Sequence, residues 1–454
     1  MERTIIKQTV NEVGEEVKVM GWIGARRNMG KIVFVDLRDR SGLLQVVLVP
    51  SELDEASNTL LDTLRPEFVL SITGVVNKRG EKQINPEMVT GTVEVLAKSF
   101  EILAEAETLP YDLNGAELKT DTLLDNLPLN LRRDDEKAIF KVQETLIQSF
   151  REYCVQKDFT EFQCSKLVAS ATEGGANFFS LPYFGYKACL AQSPQFYKQM
   201  SVGVFERAFT TGQVYRAEEH DTPRHINEYT SLDFEFAFIK DHHDVMQMTQ
   251  GVVKFMMDAV AKRNEADIKV LQATMPSIPE QIPSMKLKEA QQMIKEEYGE
   301  DCTTEPDLEP HQERWVGEYA KKKFNSDFMF ITHYPVEKRP MYTYEDEQDP
   351  GYTKSFDLIF RGQEMVTGGQ RIHNYKKLKA NIVKWGMTVE DFEFYLMPFK
   401  FGMPPHGGIG MGLERVTMSL LGLNNIKQAT YLPRDQVRID LPLSKLQGER
   451  KKED

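Results

Sequence analysis

Apolar and polar residues alternate along two arms of the stretch Phe205–Phe238, and this pattern predicts an antiparallel hairpin with a polar loop. Cationic, acidic and aromatic side chains converge on the loop end of the hairpin. They are Arg216, Glu218, Arg224, His225, Glu228 and Tyr229. Guanidinium groups pair with phosphate oxygens and an aromatic face stacks on a purine, so the set suits a nucleoside triphosphate. A solvated, charged turn is the alternative interpretation.

Shorter alternating stretches fill the first part of the chain, up to about Leu103. The predicted strands are Val17–Ile23, Ile32–Leu37, Leu43–Val49, Phe68–Thr73 and Thr92–Ile102. One helical segment is predicted near Ser51–Leu64, and five strands with one helix fit a Greek-key barrel of the OB type. Such barrels bind single-stranded RNA with aromatic and cationic side chains. On pattern alone, however, Phe34 fits the barrel core better than a base-stacking platform.

The rest of the chain predicts a second domain of mixed helices and strands. Residues 105–134 are rich in Leu, Asp and Asn without clear periodicity, so they predict a hinge between domains 1–104 and 135–454. Apolar residues at helical spacing predict helices at Ile139–Lys157, Asp241–Lys262 and Lys286–Tyr298. The stretch Ala266–Glu313 contains a Pro-rich variable connection. The predicted fold class is α+β, with an antiparallel sheet flanked by helices after the barrel.

The composition limits which binding partners and which cellular compartment we expect for this chain. The chain has 454 residues with 41% hydrophobic content, which is enough for two domains. Its net charge of −13 excludes a generally basic nucleic-acid binder, so any RNA contact depends on local basic patches. The four cysteines lack metal-binding spacing, and the start lacks the apolar core of a signal peptide. We therefore expect reduced thiols, a cytoplasmic protein and no membrane span.

Two motifs give the chain a family resemblance. Arg216-Ala217-Glu218, after the first arm of the hairpin, resembles the second signature of the class II aminoacyl-tRNA synthetases. The run Gly408-Ile409-Gly410-Met411-Gly412-Leu413-Glu414-Arg415 resembles the third. A glycine alternation alone is weak evidence, because glycines also permit close packing, but both signatures occur in the right order. With Gln192–Gln199 and Ser355–His373, the set is similar to aspartyl-tRNA synthetases of the archaeal and eukaryotic type, over nearly the whole chain.

The resemblance implies a two-step reaction. The α-carboxylate of aspartate attacks the α-phosphorus of ATP to give aspartyl-adenylate and pyrophosphate, and the acyl group then passes to tRNA(Asp). A carboxylate is already ionised at neutral pH, so neither step needs a nucleophile from the protein. The site must position two anions and neutralise the charge that develops on phosphorus.

The resemblance also implies roles for the hairpin and glycine-motif residues. The implied ATP-binding set is Arg216, Glu218, Arg224, His225, Tyr229, Glu364, Gly412 and Arg415. Arg216 would contact the α-phosphate and the attacking carboxylate, and Arg415 with Arg224 would hold the γ-phosphate end. Tyr229 would stack on adenine and Glu218 would meet the adenine edge. Arg216 and Arg415 are the predicted catalytic residues.

A second implied set binds aspartate: Glu173, Gln195, Lys198, Arg216, Thr367 and Arg371. Glu173, in a Gly-rich loop, would meet the α-ammonium group. Lys198 and Arg371 would contact the β-carboxylate, and a neutral amide in its place would leave their charge partly unpaired. In the barrel, the implied anticodon contacts are Arg26, Phe34 and Gln45.

Asp357, Glu364 and Thr367 are the implied ligands of Mg²⁺, an ion that needs hard oxygen donors. The sequence does not decide how many Mg²⁺ ions bind. Asp357 and Glu364 are seven positions apart, so one regular strand would point them to opposite faces. A bend or bulge near Gly362 would bring them together. Without the flanking motif, two surface acids would explain the pair equally well.

The sequence leaves several alternatives open. Asparaginyl-tRNA synthetases share the scaffold but lack the lysine that stands at Lys198. An inactive paralogue that only binds RNA would be expected to lose some of the signature residues, which are intact here. Gly24 does not decide between tRNA(Asp) alone and tRNA(Asp) with tRNA(Asn). The helix Ile139–Lys157 and strand Phe159–Phe162 resemble the family's homodimer interface, although Ser165 replaces a proline there.

Overall fold

The chain divides into two units, Met1–Gly115 and Ala116–Asp454. A computed structural model describes residues 1–113, 115, 118–169, 178–440 and 442. The strands of the first unit are β1 Glu16–Asn28, β2 Val33–Asp39, β3 Gly42–Leu48, β4 Val69–Lys78 and β5 Val93–Ala104, and its helix is α1 Glu55–Leu60. Helix α1 begins at Asp54, whose side chain accepts a hydrogen bond from the Ser57 backbone N–H.

The five strands of the first unit form a closed barrel in the order β1-β2-β3-β5-β4. On β2, Val33, Val35 and Leu37 are buried in the barrel core, whereas Phe34 and Asp36, which alternate with them, are half-buried on the outer face. This two-residue period is what a strand requires when one face packs against a core. The predicted OB-type barrel and α+β class are confirmed.

The second unit contains the remaining elements. Its strands are β6 Thr160–Glu161, β7 Leu167–Val168, β8 Ser180–Tyr183, β9 Tyr186–Leu190, β10 Arg207–Tyr215, β11 Glu228–Ala237, β12 Ser284–Lys286, β13 Phe328–Thr332, β14 Ser355–Phe360, β15 Gln363–Arg371 and β16 His406–Gly412. Its helices are α2 Thr120–Asp125, α3 Leu127–Asn130, α4 Asp134–Gln156, α5 Gln195–Phe205, α6 His242–Arg263, α7 Glu265–Val270, α8 Leu287–Tyr298, α9 Pro310–Phe324, α10 Tyr375–Lys384, α11 Glu393–Lys400 and α12 Leu413–Leu421.

An eight-stranded sheet in the order β12-β13-β14-β15-β16-β11-β10-β6 forms the centre of this unit. The predicted hairpin is β10 and β11, which pair antiparallel from Arg207 with Phe236 to Tyr215 with Glu228. Helices α4, α6 and α12 pack with the sheet around one apolar core. Among the described residues, no helix combines the length and the apolar character that a membrane span needs.

Part of the predicted hinge is ordered. Helices α2 and α3 lie within it, and Leu123, Leu124 and Leu127 are buried in a small cluster against Leu432. These leucines lack a helical period over the whole stretch because two short helices, rather than one, place them on the cluster. The assignment of 1–104, 105–134 and 135–454 to separate roles stays a prediction.

Candidate functional site

A cavity of about 360 Å³ lies over the central strands of the large sheet. It is lined by most of the residues predicted to bind ATP and the amino acid. Those residues are Gln195, Lys198, Arg216, Glu218, Arg224, His225, Tyr229, Glu364, Thr367, Arg371, Gly412 and Arg415. Residues as far apart in the sequence as Gln195 and Arg415 therefore meet at one site.

Glycines on β16 make room for two buried acidic side chains, Asp233 and Glu235, of which Asp233 lines the cavity. Strand β11 pairs with β16 so that Asp233 lies opposite Gly410 and Glu235 lies opposite Gly408. A Cβ atom on Gly408 would come within 2.3 Å of a Glu235 carboxylate oxygen, and one on Gly410 within 3.2 Å of Asp233. The glycine alternation of the third signature is therefore a packing requirement of the site.

Those acids hold the two cations that were predicted to bind the amino-acid side chain. Lys198 Nζ lies 2.9 Å from Asp233 Oδ1 and 3.6 Å from Glu235 Oε2. Arg371 Nε donates to Glu235 Oε1 at 2.9 Å. We call Lys198, Arg371, Asp233 and Glu235 the buried quartet. Its side chains are at most 6% exposed.

Backbone carbonyls of β16 complete the quartet. Lys198 Nζ donates to Ile409 O at 2.7 Å, and Arg371 Nη2 donates to Gly408 O at 2.9 Å. The sequence predicted two cations facing a ligand, but the structure pairs each with a buried carboxylate. The formal charges in the quartet therefore balance before any ligand binds, a feature that the sequence interpretation missed.

A buried polar chain supports the wall beside the quartet. Gln195 Nε2 donates to Gln199 Oε1 at 2.9 Å, and Tyr395 OH donates to the same oxygen at 3.0 Å. Gln199 Nε2 lies 2.9 Å from His406 Nε2. Burial lowers the pKa of His406 to about 4, so this ring is neutral and accepts the hydrogen bond.

The loop of the β10–β11 hairpin is fixed by the C-terminal part of the chain. Asn227 N donates to Arg434 O at 2.8 Å, and Lys427 Nζ lies 2.6 Å from Asp221 Oδ1. The Arg216 guanidinium lies 5.7 Å from the centroid of the Tyr229 ring. The cation and the aromatic face predicted from the hairpin thus occur side by side at the cavity.

Two further acid–arginine pairs, which we call the outer pairs, include three residues that line the cavity, Arg224, Glu364 and Arg415. Arg415 Nη1 is 3.3 Å from Glu364 Oε1, and Arg224 Nη1 is 3.5 Å from Glu313 Oε2. The side chains in the first pair are 34% and 36% exposed, and those in the second are 29% and 14% exposed. Solvent therefore reaches these pairs far more than it reaches the buried quartet.

The predicted metal ligands come from two strands rather than one. Arg361 and Gly362, both with positive φ, form the turn between β14 and β15, so the bend predicted near Gly362 is a hairpin turn that separates two strands. Asp357 and Thr367 are directly opposite across the hairpin. The register shifts between Leu358 and Ile359, an irregularity that changes which face each side chain occupies.

This shift explains how residues three apart on one strand meet. In a regular strand Glu364 and Thr367 would point to opposite faces. In the structure Thr367 Oγ1 donates to Glu364 Oε1 at 3.0 Å. The three predicted ligands therefore come from one irregular hairpin.

Asp357 itself is buried and lies outside the lining of the cavity. Its Oδ2 accepts a hydrogen bond from Arg339 at 2.6 Å, whereas its Oδ1 accepts none from any residue that the structure describes. Burial, with a contribution from Glu364, raises the pKa of Asp357 to about 6 even though Arg339 lowers it. Burial also acts on Glu364, but Arg415 and Arg339 outweigh it and lower the pKa of that carboxyl.

Besides Asp233 and Glu235, two further charged residues of the site were missed by sequence reasoning. Arg339 follows a short 3₁₀ turn and carries no local signal. Glu313 lies on α9, at the end of the stretch interpreted as a variable connection. Burial first, and Glu364 second, raise the pKa of Glu313 to about 7.

Glu173 lies outside the described residues, so its predicted contact with the ammonium group stays a prediction. His225, which lines the cavity, forms a hydrogen bond with Thr222 Oγ1 at 2.7 Å through its Nδ1, and burial lowers the pKa of its ring. Glu414, which also lines the cavity, accepts hydrogen bonds from the Thr230 N–H, and burial raises its pKa to about 7.

The barrel carries the other predicted set. Phe34 is half-buried on the outer face of β2, directly opposite Arg27 of β1. Gln45 Nε2 donates to Glu94 Oε2 at 2.8 Å, and Arg26 lies 3.5 Å from Asp62. Phe34 is thus outside the barrel core. The basic character of this surface is reduced, since Arg26 lies beside an acid and Arg27 forms two hydrogen bonds to Asp36.

Comparisons with known proteins agree with this architecture. A family model described as tRNA synthetases class II (D, K and N) matches residues 119–436, and one described as OB-fold nucleic acid binding domain matches residues 17–103. The aspartate–tRNA(Asp/Asn) ligase of Thermus thermophilus is 42% identical over 440 residues, which cover 96% of this chain and 99% of the relative. The aspartate–tRNA(Asp) ligase of Pyrococcus furiosus is 36% identical over 429 residues, covering 94% and 96%.

The solved structures include an asparaginyl-tRNA synthetase from Pyrococcus horikoshii complexed with asparaginyl-adenylate. It matches with a TM-score of 0.90 at 27% sequence identity and covers 97% of this chain and all of the other. The family model alone spans well over half of the chain, and both curated relatives exceed 30% identity over nearly full length. The chain therefore belongs to the class II tRNA synthetase family of the D, K and N group.

Proposed function

We propose that this class II synthetase is an aspartate–tRNA ligase that forms aspartyl-adenylate and transfers the aspartyl group to tRNA(Asp). Class II synthetases use ATP, an amino acid and a tRNA as substrates. The observation that carries the choice of aspartate is the buried quartet, in which Lys198 and Arg371 present donors to one end of the cavity. The names of the two curated relatives support the same choice.

The quartet favours an anion in spite of its balanced charge. Lys198 Nζ has three donors, and Arg371 uses Nε and Nη2 for Glu235 and Gly408, so donor capacity remains on both groups. A β-carboxylate accepts from both cations. An asparagine amide would direct its NH₂ group at one of them, and a buried donor that loses its acceptor costs about 1–3 kcal/mol, more where the donor is charged.

The rival function is asparagine–tRNA ligation, which the fold of the Pyrococcus horikoshii asparaginyl enzyme makes worth testing. Exchange of pyrophosphate into ATP, measured separately with aspartate and with asparagine, separates the two. We expect exchange with aspartate at least about 10³-fold faster at subsaturating amino acid. A preference for asparagine would overturn the assignment, and no exchange with either would favour the inactive paralogue.

Three arginines of the cavity have proposed tasks around ATP. Arg216 neutralises charge on the α-phosphate as the aspartate carboxylate attacks, and Tyr229 beside it stacks on adenine. Arg415 and Arg224, from the outer pairs, bind the β- and γ-phosphates, with His225 next to them. The Arg415–Glu364 pair is about one third exposed, which suits an exchange of the protein acid for phosphate oxygens.

Mg²⁺ fits the oxygen donors of Asp357, Glu364 and Thr367. The unpaired, buried Oδ1 of Asp357 and the Thr367 hydroxyl on Glu364 form a hard-oxygen set of the kind this ion prefers. When bound, the ion would neutralise phosphate charge. The protein residues hold the donors in place through the irregular β14–β15 hairpin and through Arg339, which fixes the other oxygen of Asp357.

The barrel is the proposed anticodon reader. Phe34 on its outer face is available for base stacking, while Arg26 and Gln45 lie on neighbouring strands. Phe34→Ala should raise KM for tRNA and leave tRNA-independent exchange unchanged, because stacking contributes about 1–3 kcal/mol per base. Loss of exchange in this variant would identify Phe34 as structural.

Three finer assignments also remain proposals: charging of tRNA(Asn) in addition to tRNA(Asp), a homodimer and a cytoplasmic location. The relative from Thermus thermophilus carries tRNA(Asp/Asn) in its name, whereas the one from Pyrococcus furiosus carries tRNA(Asp) alone. Aspartylation of purified tRNA(Asn) transcripts decides whether this chain charges both tRNAs or tRNA(Asp) alone.

Helix α4 with β6 is the proposed dimer surface, and Ser165 beside it is exposed. Sedimentation equilibrium tests the dimer.

A further inference from the structure

Glu313 is brought to the ATP site by the packing of α9 on the β14–β15 turn. A Cβ atom on Gly317 of α9 would come within 2.5 Å of the Gly362 backbone nitrogen, so only a glycine allows this approach. Glu313 is one helical turn before Gly317 and lies on the same face. The close contact therefore places the Glu313 carboxylate at the start of β15.

The Glu313 side chain has two contacts there. Its Oε2 accepts a hydrogen bond from Glu364 N at 3.4 Å and lies 3.5 Å from Arg224 Nη1. Arg224 belongs to the loop of the β10–β11 hairpin, 89 positions earlier in the chain. The contact thus joins the long side chain of Arg224, in the loop, to the Glu313 carboxylate, which helix α9 holds in place.

We propose that Glu313 is a positioning residue for ATP: it holds the Arg224 guanidinium at the cavity in the free enzyme and yields it to the terminal phosphates when ATP binds. The inference rests on the proposed role of Arg224. The terminal phosphates of ATP are the stronger partner for a guanidinium because they carry more negative charge than one carboxylate. Glu313 therefore competes with ATP and also keeps the arginine within reach.

This competition predicts a change that is specific to the outer phosphates. Glu313→Gln keeps the size of the side chain but removes its charge, so Arg224 is no longer held by an ion pair. A partly exposed pair contributes about 0.2–1 kcal/mol, so its loss should tighten ATP binding by roughly 1.4- to fivefold. AMP lacks the phosphates that Arg224 would contact, so its Kd should stay unchanged.

Calorimetric titration of ATP and AMP into the full chain measures both constants. The matched control is Glu318→Gln, which removes an exposed charge from the same helix without touching Arg224. Combining Glu313→Gln with Arg224→Ala closes a double-mutant cycle, and the effect of Glu313→Gln should vanish in the Arg224→Ala background.

The outcomes separate the inference from its premise. If Arg224→Ala alone leaves the ratio of the ATP and AMP constants as in the wild type, the role of Arg224 is wrong. A second outcome contradicts the inference itself: Arg224→Ala weakens the binding of ATP but not of AMP, while Glu313→Gln fails to tighten ATP binding or shifts the AMP constant equally. In that case Glu313 does not act through Arg224. If the Gln variant is unstable, Glu313→Asp, which shortens the side chain but keeps the charge, should give a smaller tightening of the same sign; no tightening contradicts the inference.

Discussion

The buried quartet and the outer pairs use the same chemistry at two depths in one cavity. In the quartet, Lys198 and Asp233 are 1% and 2% exposed. A pair at this depth has no water to replace a lost partner, so removing one member leaves a buried, unpaired charge. The quartet is therefore suited to a permanent template that recognises one small ligand group.

The outer pairs lie where water competes. Arg415 is 34% exposed and Glu364 is 36% exposed, so separating them costs little. Arg415 also donates to the Glu364 backbone oxygen at 3.2 Å, which keeps it at the cavity when the carboxylate is otherwise engaged. The comparison teaches that depth, rather than residue type, separates groups that select the amino acid from groups that exchange partners with ATP.

Removing one member of the buried quartet should produce the largest loss of activity. Lys198→Leu is expected to lower kcat/KM for aspartate by about 10³-fold or more, because the β-carboxylate loses a buried charged donor. ATP affinity should change little. Pyrophosphate exchange with varied aspartate and a separate ATP titration measure the two effects.

The same variant should also be less stable, by about 3–5 kcal/mol, since Asp233 is left without its cation. Denaturant unfolding measures this, and adding Asp233→Asn to Lys198→Leu should recover part of the loss. Lys254→Leu is the matched control, because the Lys254–Asp258 pair is exposed and contributes about 0–1 kcal/mol. Normal activation of aspartate by a folded Lys198→Leu protein would remove the aspartate assignment.

Arg216, which lines the same cavity, should give the next largest effect on activity. Arg216→Ala is expected to slow adenylate formation by at least about 10²–10³-fold while the fold stays intact, because the developing charge on phosphorus loses its main partner. Single-turnover measurement of adenylate formation, with circular dichroism as the check on folding, tests this. Exchange at the wild-type rate in a folded variant would refute the role.

Removing the arginine of an outer pair should weaken the binding of ATP and leave the binding of aspartate unchanged. Arg415→Ala is expected to weaken ATP by roughly 10- to 150-fold, since a charge-assisted hydrogen bond contributes about 1.5–3 kcal/mol. Its effect on stability should be small, in contrast to Lys198→Leu. An equal loss of aspartate affinity in this variant would show that the two regions are not separable.

The strands that carry this site could be predicted from the sequence, and the reason is physical. The strands of the barrel and the β10–β11 hairpin each bury one face, so their period of two is visible in the residues themselves. The two signatures placed Arg216 and Arg415, and the cavity brings both together with Lys198 and Arg371.

The missed residues depend on distant contacts. Asp233 and Glu235 could have been found, because acids two apart on one strand match glycines two apart at Gly408 and Gly410. Glu313 could not, since its position depends on the packing of α9 against a turn about 50 positions away. The register shift in β14–β15 likewise leaves no trace in composition.

The smallest expected effect concerns the hydroxyl that the register shift brings to Glu364. Thr367→Val keeps the shape of the side chain but removes its Oγ1, which donates to Glu364 at 3.0 Å. A neutral hydrogen-bonding group contributes about 0.5–1.5 kcal/mol, so the half-saturating Mg²⁺ concentration for exchange should rise by roughly 2- to 13-fold.

Thr367→Ser retains the hydroxyl and should stay near the wild type, which makes it the matched control. Binding of Mn²⁺ in the presence of a non-hydrolysable ATP analogue, followed by electron paramagnetic resonance, gives a readout that does not depend on turnover. Because the partner of the hydroxyl, Glu364, is partly exposed, Thr367→Val should leave unfolding stability nearly unchanged. A valine variant that needs no more metal than the serine variant would take Thr367 out of the metal set and leave Asp357 and Glu364 as its proposed protein ligands.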